Sequence, residues 1–60
     1  MRVLFENDET LQDRVVYGRK DCKSRQELVA YEMATSSAAV FVIGNLKATP
    51  IPDDDETPQA

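Results

Sequence analysis

Residues 24–45, SRQELVAYEMATSSAAVFVIGN, contain the clearest helix signal and the clearest strand signal of the chain. Ser24 and Glu27 have the spacing of a capping box, in which a serine caps the helix and a glutamate follows three residues later. Apolar residues then recur at helical spacing, which predicts a helix with a broad but weakly apolar face, ending near Ser36 and Ser37. The face consists of two stripes: Leu28, Tyr31 and Thr35, and Val29, Met33 and Ser36.

The second half of this segment favours a strand. Residues 38–43 are rich in β-branched and aromatic side chains, which suit a buried strand. Gly44 and Asn45 form a two-residue turn signal, so residues 46–49 are expected to return as the second arm of a hairpin that Pro50 ends. The alternative is one long helix over residues 25–47. The four β-branched or aromatic residues directly before Gly44 make that alternative the weaker one.

Working outward to the amino terminus, residues 2–5 and 14–17 have the composition of two further short strands. The polar residues 6–13 connect them. The predicted fold class is therefore α+β, with the element order ββαββ. It comprises a small antiparallel sheet of about four short strands and one helix on one face of the sheet.

Charge divides the chain into a domain and a tail. The 60 residues carry a formal net charge of −4, from 7 basic and 11 acidic residues. Residues 1–49 sum to zero, so residues 50–60 carry the whole excess on Asp53, Asp54, Asp55 and Glu56. Three prolines and few apolar side chains leave little in that segment to offset the entropy of ordering it. We predict one small domain, residues 1–49, and a flexible acidic tail, residues 50–60.

The size of the chain limits how its core can be reinforced. A domain of 60 residues buries only about 60% of its unfolded surface. Cys22 is the one cysteine and there is no histidine, so the chain can form neither an internal disulfide nor a zinc site. No metal and no cofactor is expected. Reinforcement by a partner is favoured, as a homodimer or an obligate binder, with a compact monomer as the alternative.

The sequence contains no membrane or export signal that we recognise. Its longest apolar run, residues 38–43, is far shorter than the ~20 residues that cross a bilayer. The segment after Met1 soon becomes acidic, unlike a signal peptide. A single unpaired cysteine suits a reducing compartment. An intracellular, cytoplasmic location without membrane contact is expected.

A basic patch precedes the predicted helix, formed by Arg14, Arg19, Lys20, Lys23 and Arg25. Residues 18–24, GRKDCKS, resemble a phosphate-binding P-loop, but the second glycine that turns the backbone amides inward is absent. Nucleotide hydrolysis is therefore not predicted. A helix amino terminus beside these cations could bind an anion. The plainer interpretation is a solvated basic turn.

Two weaker patterns point to structural roles. Residues 40–46 resemble the RNP2 strand of an RNA-recognition motif. One extra residue, however, turns Phe41 to the opposite face of the strand, and no RNP1 strand is present. A core strand is the better interpretation. Nearby positive charge favours a thiolate at Cys22, but no histidine can pair with it, so a structural cysteine is expected.

Taken together, these features favour binding over catalysis, and no catalytic residue is predicted. The leading hypothesis is a small non-enzymatic protein–protein interaction module. It would be an inhibitor or adaptor of a larger protein, as is common among phage-encoded and accessory bacterial products. The acidic residues Asp53, Asp54, Asp55 and Glu56 could enter a basic groove on that partner. One alternative is weak nucleic-acid binding through the basic patch. Another is a structural subunit that pairs through the edge of the 40–49 hairpin.

Overall fold

The computed structural model describes residues 1–52, and residues 53–60 lie outside the described part of the chain. The element order within residues 1–52 is ββαββ, which confirms the predicted α+β fold and excludes the single long helix. The elements are β1 (Arg2–Asn7), β2 (Gln12–Val16), a 3₁₀ turn (Arg19–Asp21), α1 (Arg25–Ser37), β3 (Phe41–Ile43) and β4 (Leu46–Ile51).

The four strands form one antiparallel sheet in the order β2-β1-β4-β3. The two strands nearest the ends of the described chain, β1 and β4, are therefore central neighbours, and Arg2 lies opposite Ile51. β2 and β3 are the two edges. Helix α1 packs against this sheet, mainly over β4 and β3.

The core lies between the helix and one face of the sheet. Alternate side chains of each strand point toward the helix, as the period-two geometry of a strand requires. The buried apolar residues are Val3, Phe5, Val16, Ala30, Ala34, Leu46 and Ala48. Cys22, Tyr31, Phe41 and Ile43 pack against them and are partly exposed. Three of the seven buried residues are alanines, so the core is small even for a domain of this length.

The helix buries only part of the face expected from the sequence: the Tyr31 stripe is half-buried and the Met33 stripe is exposed. Ala30 and Ala34 are its fully buried residues, whereas Val29 and Met33 are 37% and 47% exposed. Small side chains let the helix backbone approach the sheet closely, so the contact forms along the alanines and not along the larger apolar residues. The amino terminus follows the prediction: Ser24 is the N-cap, and its Oγ accepts a hydrogen bond from the backbone N–H of Glu27 at 3.2 Å.

The β3–β4 hairpin turns at Gly44 and Asn45, as predicted. Gly44 has φ of 60°, whereas Asn45 is not among the residues with positive φ, which is the pattern of a type II′ turn. The positive φ favours glycine at position 44, and a Cβ there would lie 2.9 Å from Nε2 of Gln26 and displace the end of that side chain.

Two predicted strand boundaries are wrong. β4 continues through Pro50 to Ile51, beyond the expected end at Thr49. Proline is tolerated there because its missing N–H would face the β3 side of β4. The last pair between β3 and β4 is Phe41 with Ala48, so within residues 1–52 no strand lies beside Pro50 on that side.

The other boundary concerns the first hairpin. Its strands extend to Asn7 and begin at Gln12, so only residues 8–11 form the loop and Tyr17 lies outside β2. Oδ1 of Asn7 accepts the backbone N–H groups of Glu9 and Thr10 at 2.8 and 3.0 Å and so stabilises the loop.

Ala38 follows α1 in the left-handed conformation, with φ of 56° and ψ of 35°. Glycine adopts this conformation without a Cβ penalty and is the preferred residue at helix ends. We expect Ala38→Gly to raise the free energy of unfolding by about 0.5–1 kcal/mol, measured by urea denaturation. The matched control is Ala39→Gly, whose backbone has no positive φ and which should lower stability. Equal effects of the two substitutions would contradict the strain argument.

Candidate functional site

Arg14 of the predicted basic patch is engaged inside the fold. It lies on the helix-facing side of β2, and its guanidinium donates to both carboxylate oxygens of Glu27, at 2.8 and 2.7 Å. Nη2 of Arg14 also donates to the carbonyl oxygen of Asp21 at 2.7 Å. Paired, charge-assisted hydrogen bonds of this kind are the strong ones. Arg14 therefore ties β2 to the start of α1.

The same carboxylate occupies the helix amino terminus. Oε1 of Glu27 accepts the backbone N–H of Lys23 at 2.7 Å, one residue earlier than in a standard capping box. Hydrogen bonding to Arg14 is the main cause that lowers the pKa of Glu27, while burial opposes it. The pKa of Arg14 is raised by the same hydrogen bond. The anion-binding position expected from the sequence thus holds a carboxylate of the chain itself.

The remaining four cations divide into two groups. Nε of Arg19 lies 2.7 Å from Oε2 of Glu32, and both side chains are largely exposed, so this ion pair contributes little to stability. Lys20, Lys23 and Arg25 form no ion pair with another residue of the described range. The basic patch is thus reduced to these three side chains plus a surface pair. Nucleic-acid binding stays a prediction that depends on them.

The acidic residues 53–56 of the predicted tail lie outside the described residues. Their proposed contact with a basic groove therefore stays a prediction. The structure sharpens its test, because Pro50 and Ile51 belong to β4. A truncation intended to remove only the acidic segment must begin at residue 53.

Cys22 lies in a setting that disfavours the thiolate. Its side chain is half-buried and packs against the core. Burial raises the pKa of the thiol, Glu27 raises it further, and Arg14 opposes both. The positive surroundings expected from the sequence are outweighed, since Arg14 is already paired with a carboxylate. The arrangement is that of a structural cysteine.

A cleft of about 690 Å³ opens to solvent between the 3₁₀ turn and the helix. Two of its charged groups already have partners: the carboxylate of Asp21 accepts the backbone N–H of Tyr17 at 3.0 Å, and Arg19 pairs with Glu32. Within residues 1–52, no three cysteine or acidic side chains converge on a point that could hold a metal ion. The cleft offers no arrangement from which a reaction can be derived.

The hairpin edge that the sequence analysis named for a structural subunit is the β3 edge of the sheet, and its apolar surface extends onto the helix, which the sequence reasoning missed. We define the β3 edge surface as Val29, Met33, Val40, Phe41, Val42 and Ile43. Val40 and Val42 are 51% and 60% exposed, and Phe41 and Ile43 are half-buried. Large apolar side chains are therefore exposed at a strand whose outer side has no neighbouring strand in the described part of the chain.

A hydrogen bond places the helical part of this surface. Nε2 of Gln26 donates to the carbonyl oxygen of Ile43 at 2.8 Å, so the helix side that carries Gln26 faces the end of β3. Val29 and Met33 follow Gln26 by three and seven residues and lie on the same side of the helix. The exposed side chains of α1 therefore adjoin Phe41 and Ile43 on the helix side of β3, whereas Val42 is exposed on the opposite face of the sheet.

The sequence does contain a signal for this surface. Residues 33–46 include no charged side chain, although 18 of the 60 residues are charged (7 basic and 11 acidic). The run covers the end of α1, all of β3 and the turn after it. An uncharged run of this length that ends at a sheet edge, and not in a buried strand, indicates a contact surface.

Comparison with known proteins gives no relative. No protein-family model matches the chain, and neither a curated protein nor a solved structure matches it. No helix within residues 1–52 has the length and the apolar character needed to cross a membrane. The function is therefore argued from the geometry of the described residues.

Proposed function

We propose that this chain is a small non-enzymatic protein–protein interaction module that acts through the β3 edge surface. The observation that carries the proposal is the exposure of Val42 on an edge strand without any charged residue, with the exposed Val40 directly before that strand. Solvent-exposed sheet edges in monomeric proteins are usually protected by charges, prolines or bulges, because they otherwise pair with other chains.

The two edges of this sheet differ in this respect. β2, the opposite edge, has the sequence QDRVV and includes Asp13 and Arg14. β3 has the sequence FVI and includes no protective residue. The contrast within one sheet supports a binding role for β3, since the same fold protects the edge that is not used.

The recognition chemistry follows from these groups. A strand of the partner would add to β3 through main-chain hydrogen bonds, and its apolar side chains would contact Phe41, Ile43 and the helical residues Val29 and Met33. Such a surface fits a small inhibitor or adaptor that completes the sheet of a partner protein. The partner is expected to present an uncharged strand edge, because a charged one would be desolvated without compensation.

A photo-crosslinking amino acid at position 42 tests this proposal in cells that naturally produce the chain. We expect covalent adducts from position 42 that increase on irradiation. The matched control places the same amino acid at position 11, because Leu11 is 84% exposed, more than Val42 at 60%, and lies in the loop between β1 and β2. Nonspecific labelling would favour the more exposed site.

The adduct pattern decides the result. Adducts that form at position 42 and not at position 11 support binding through β3, and their mass shows whether the partner exceeds the chain mass of 6.7 kDa. Equal labelling at the two positions, or none at position 42, would refute the β3 edge surface as the binding surface.

A further inference from the structure

The orientation of the backbone groups on β3 follows from its hairpin. In a two-residue hairpin, the residues that flank the turn form a hydrogen-bonded pair, and the pairs then alternate along the strands. Ile43 with Leu46 and Phe41 with Ala48 are therefore the hydrogen-bonded pairs between β3 and β4. The N–H and C=O groups of Val42 point to the outer side of β3, where no strand of residues 1–52 lies.

We propose that a second copy of this chain occupies the β3 edge, by antiparallel pairing of β3 with β3 around a two-fold axis at Val42. This inference rests on the proposed function and names the partner of the same surface. The outward N–H of Val42 in each copy would donate to the C=O of Val42 in the other copy, so the backbone groups of both residues are satisfied. The resulting assembly is a dimer with one continuous eight-stranded sheet.

The side chains are self-complementary in this register. Antiparallel pairing at Val42 places Phe41 of one copy opposite Ile43 of the second copy, and the reverse pair forms on the other side of the axis. Aromatic residues opposite β-branched ones are favourable cross-strand pairs. The Val42 side chains of the two copies meet on the sheet face away from the helices.

Charge supports a second copy as the partner. Residues 33–46 are uncharged, so the paired strands bring no charged groups together. The nearest charged residue on the neighbouring strand is Lys47, which pairs with Val42. The two Lys47 residues of a dimer would be three strand spacings apart, about 14 Å, which exceeds the screening length of about 8 Å at physiological salt. A neutral edge therefore meets a neutral edge without repulsion.

The extent of the surface supports the same partner. A specific interface needs roughly 600 Å² or more from each copy, and a three-residue strand edge alone falls well short of this. A second copy also brings the helical residues Val29 and Met33 to the interface, on the same face of the continuous sheet. An isolated peptide strand would supply no such helix. Buried area alone does not set the affinity, so the dissociation constant is measured over a wide range of concentrations.

The test measures the mass of the purified full chain in solution. Sedimentation equilibrium from about 1 µM to about 1 mM covers the micromolar range of dissociation constants. We expect a concentration-dependent rise from 6.7 kDa to twice that mass. Val42→Lys should weaken the dimer at least tenfold, because it places two ammonium groups beside the axis. The matched control is Val15→Lys, which puts the same charge on the same face of the other edge strand and should leave the dimer unchanged.

A second variant guards against a folding defect. The double substitution Val29→Lys and Met33→Lys changes exposed helix positions and should also weaken the dimer, with the helical circular dichroism unchanged. A monomeric wild-type chain at all concentrations would overturn the inference, as would a Val42→Lys chain that dimerises like the wild type. A monomeric chain that still forms adducts with a larger protein at position 42 would overturn only the second copy as partner and would leave the proposed function standing.

Discussion

Phe5→Ala is expected to abolish cooperative folding at room temperature. Phe5 is the only aromatic residue of the buried core and is 2% exposed. Truncating a buried phenylalanine costs about 3–5 kcal/mol, through lost transfer free energy and the cavity that remains. A core of this size rarely supplies more than about 3–5 kcal/mol in total. The substitution therefore removes the whole margin of stability.

The measurement is thermal and urea unfolding followed by far-ultraviolet circular dichroism. The wild-type chain should show a cooperative transition, and Phe5→Ala should show none. Phe5→Leu is the control, because it keeps an apolar side chain in the core while losing the ring that lies 5.8 Å from the Arg14 guanidinium. It should still unfold cooperatively, at lower stability. A cooperative transition in Phe5→Ala that is shifted by less than about 1 kcal/mol would show that the core lies elsewhere.

Glu27→Ala has the second largest expected effect, a loss of about 2–3 kcal/mol. The side chains of Arg14 and Glu27 are 33% and 17% exposed, so the ion pair is partly shielded from water. Removing the carboxylate leaves a half-buried guanidinium without its partner and leaves the N–H of Lys23 without its acceptor. Glu27→Gln retains an acceptor oxygen and should lose roughly half as much.

The same residue gives the stability a defined pH dependence. The pKa of Glu27 is lowered in the folded state from the usual 4.5, chiefly by Arg14, so the unfolded chain binds this proton at a higher pH than the folded chain does. Its contribution to stability is therefore complete well above pH 4.5 and is lost as the pH falls through the folded-state pKa. Urea unfolding between pH 7 and pH 3 should show this loss in the wild type. A pH dependence identical in Glu27→Gln would assign the effect to other carboxylates.

Local signals in the sequence predicted the elements well. The Ser24 cap, the end of the helix at Ser37 and the Gly44 turn each depend on a few neighbouring residues, and all three agree with the structure. Strand ends agreed less well, because the reach of β1 and β4 depends on their pairing with each other. Asn7, for example, is a strand residue because Gln12 and Leu46 lie opposite it.

The candidate site was less predictable, because its geometry comes from contacts between distant residues. The sequence predicted Arg14 as one member of a basic patch. Its position two residues before the buried Val16, however, places it on the inner face of β2. Its partner Glu27 is 13 residues away and was recognised only as a capping residue. Val29 and Met33 were assigned to the buried helix face, since the pattern could not show that the alanines would contact the sheet. The uncharged run of residues 33–46 is present in the sequence, but it marks the β3 edge surface only once the strand order places β3 at the edge of the sheet.

The central pairing of β1 with β4 has a consequence for folding during synthesis on the ribosome. Ile51, which lies opposite Arg2, is made 49 residues after it. Until then, β1 can pair only with β2, and such an isolated hairpin is marginally stable at best in water. The β1–β4 contacts close the longest loop that the described chain contains, which places them late in folding. The nascent domain must therefore remain largely unfolded until β4 has emerged.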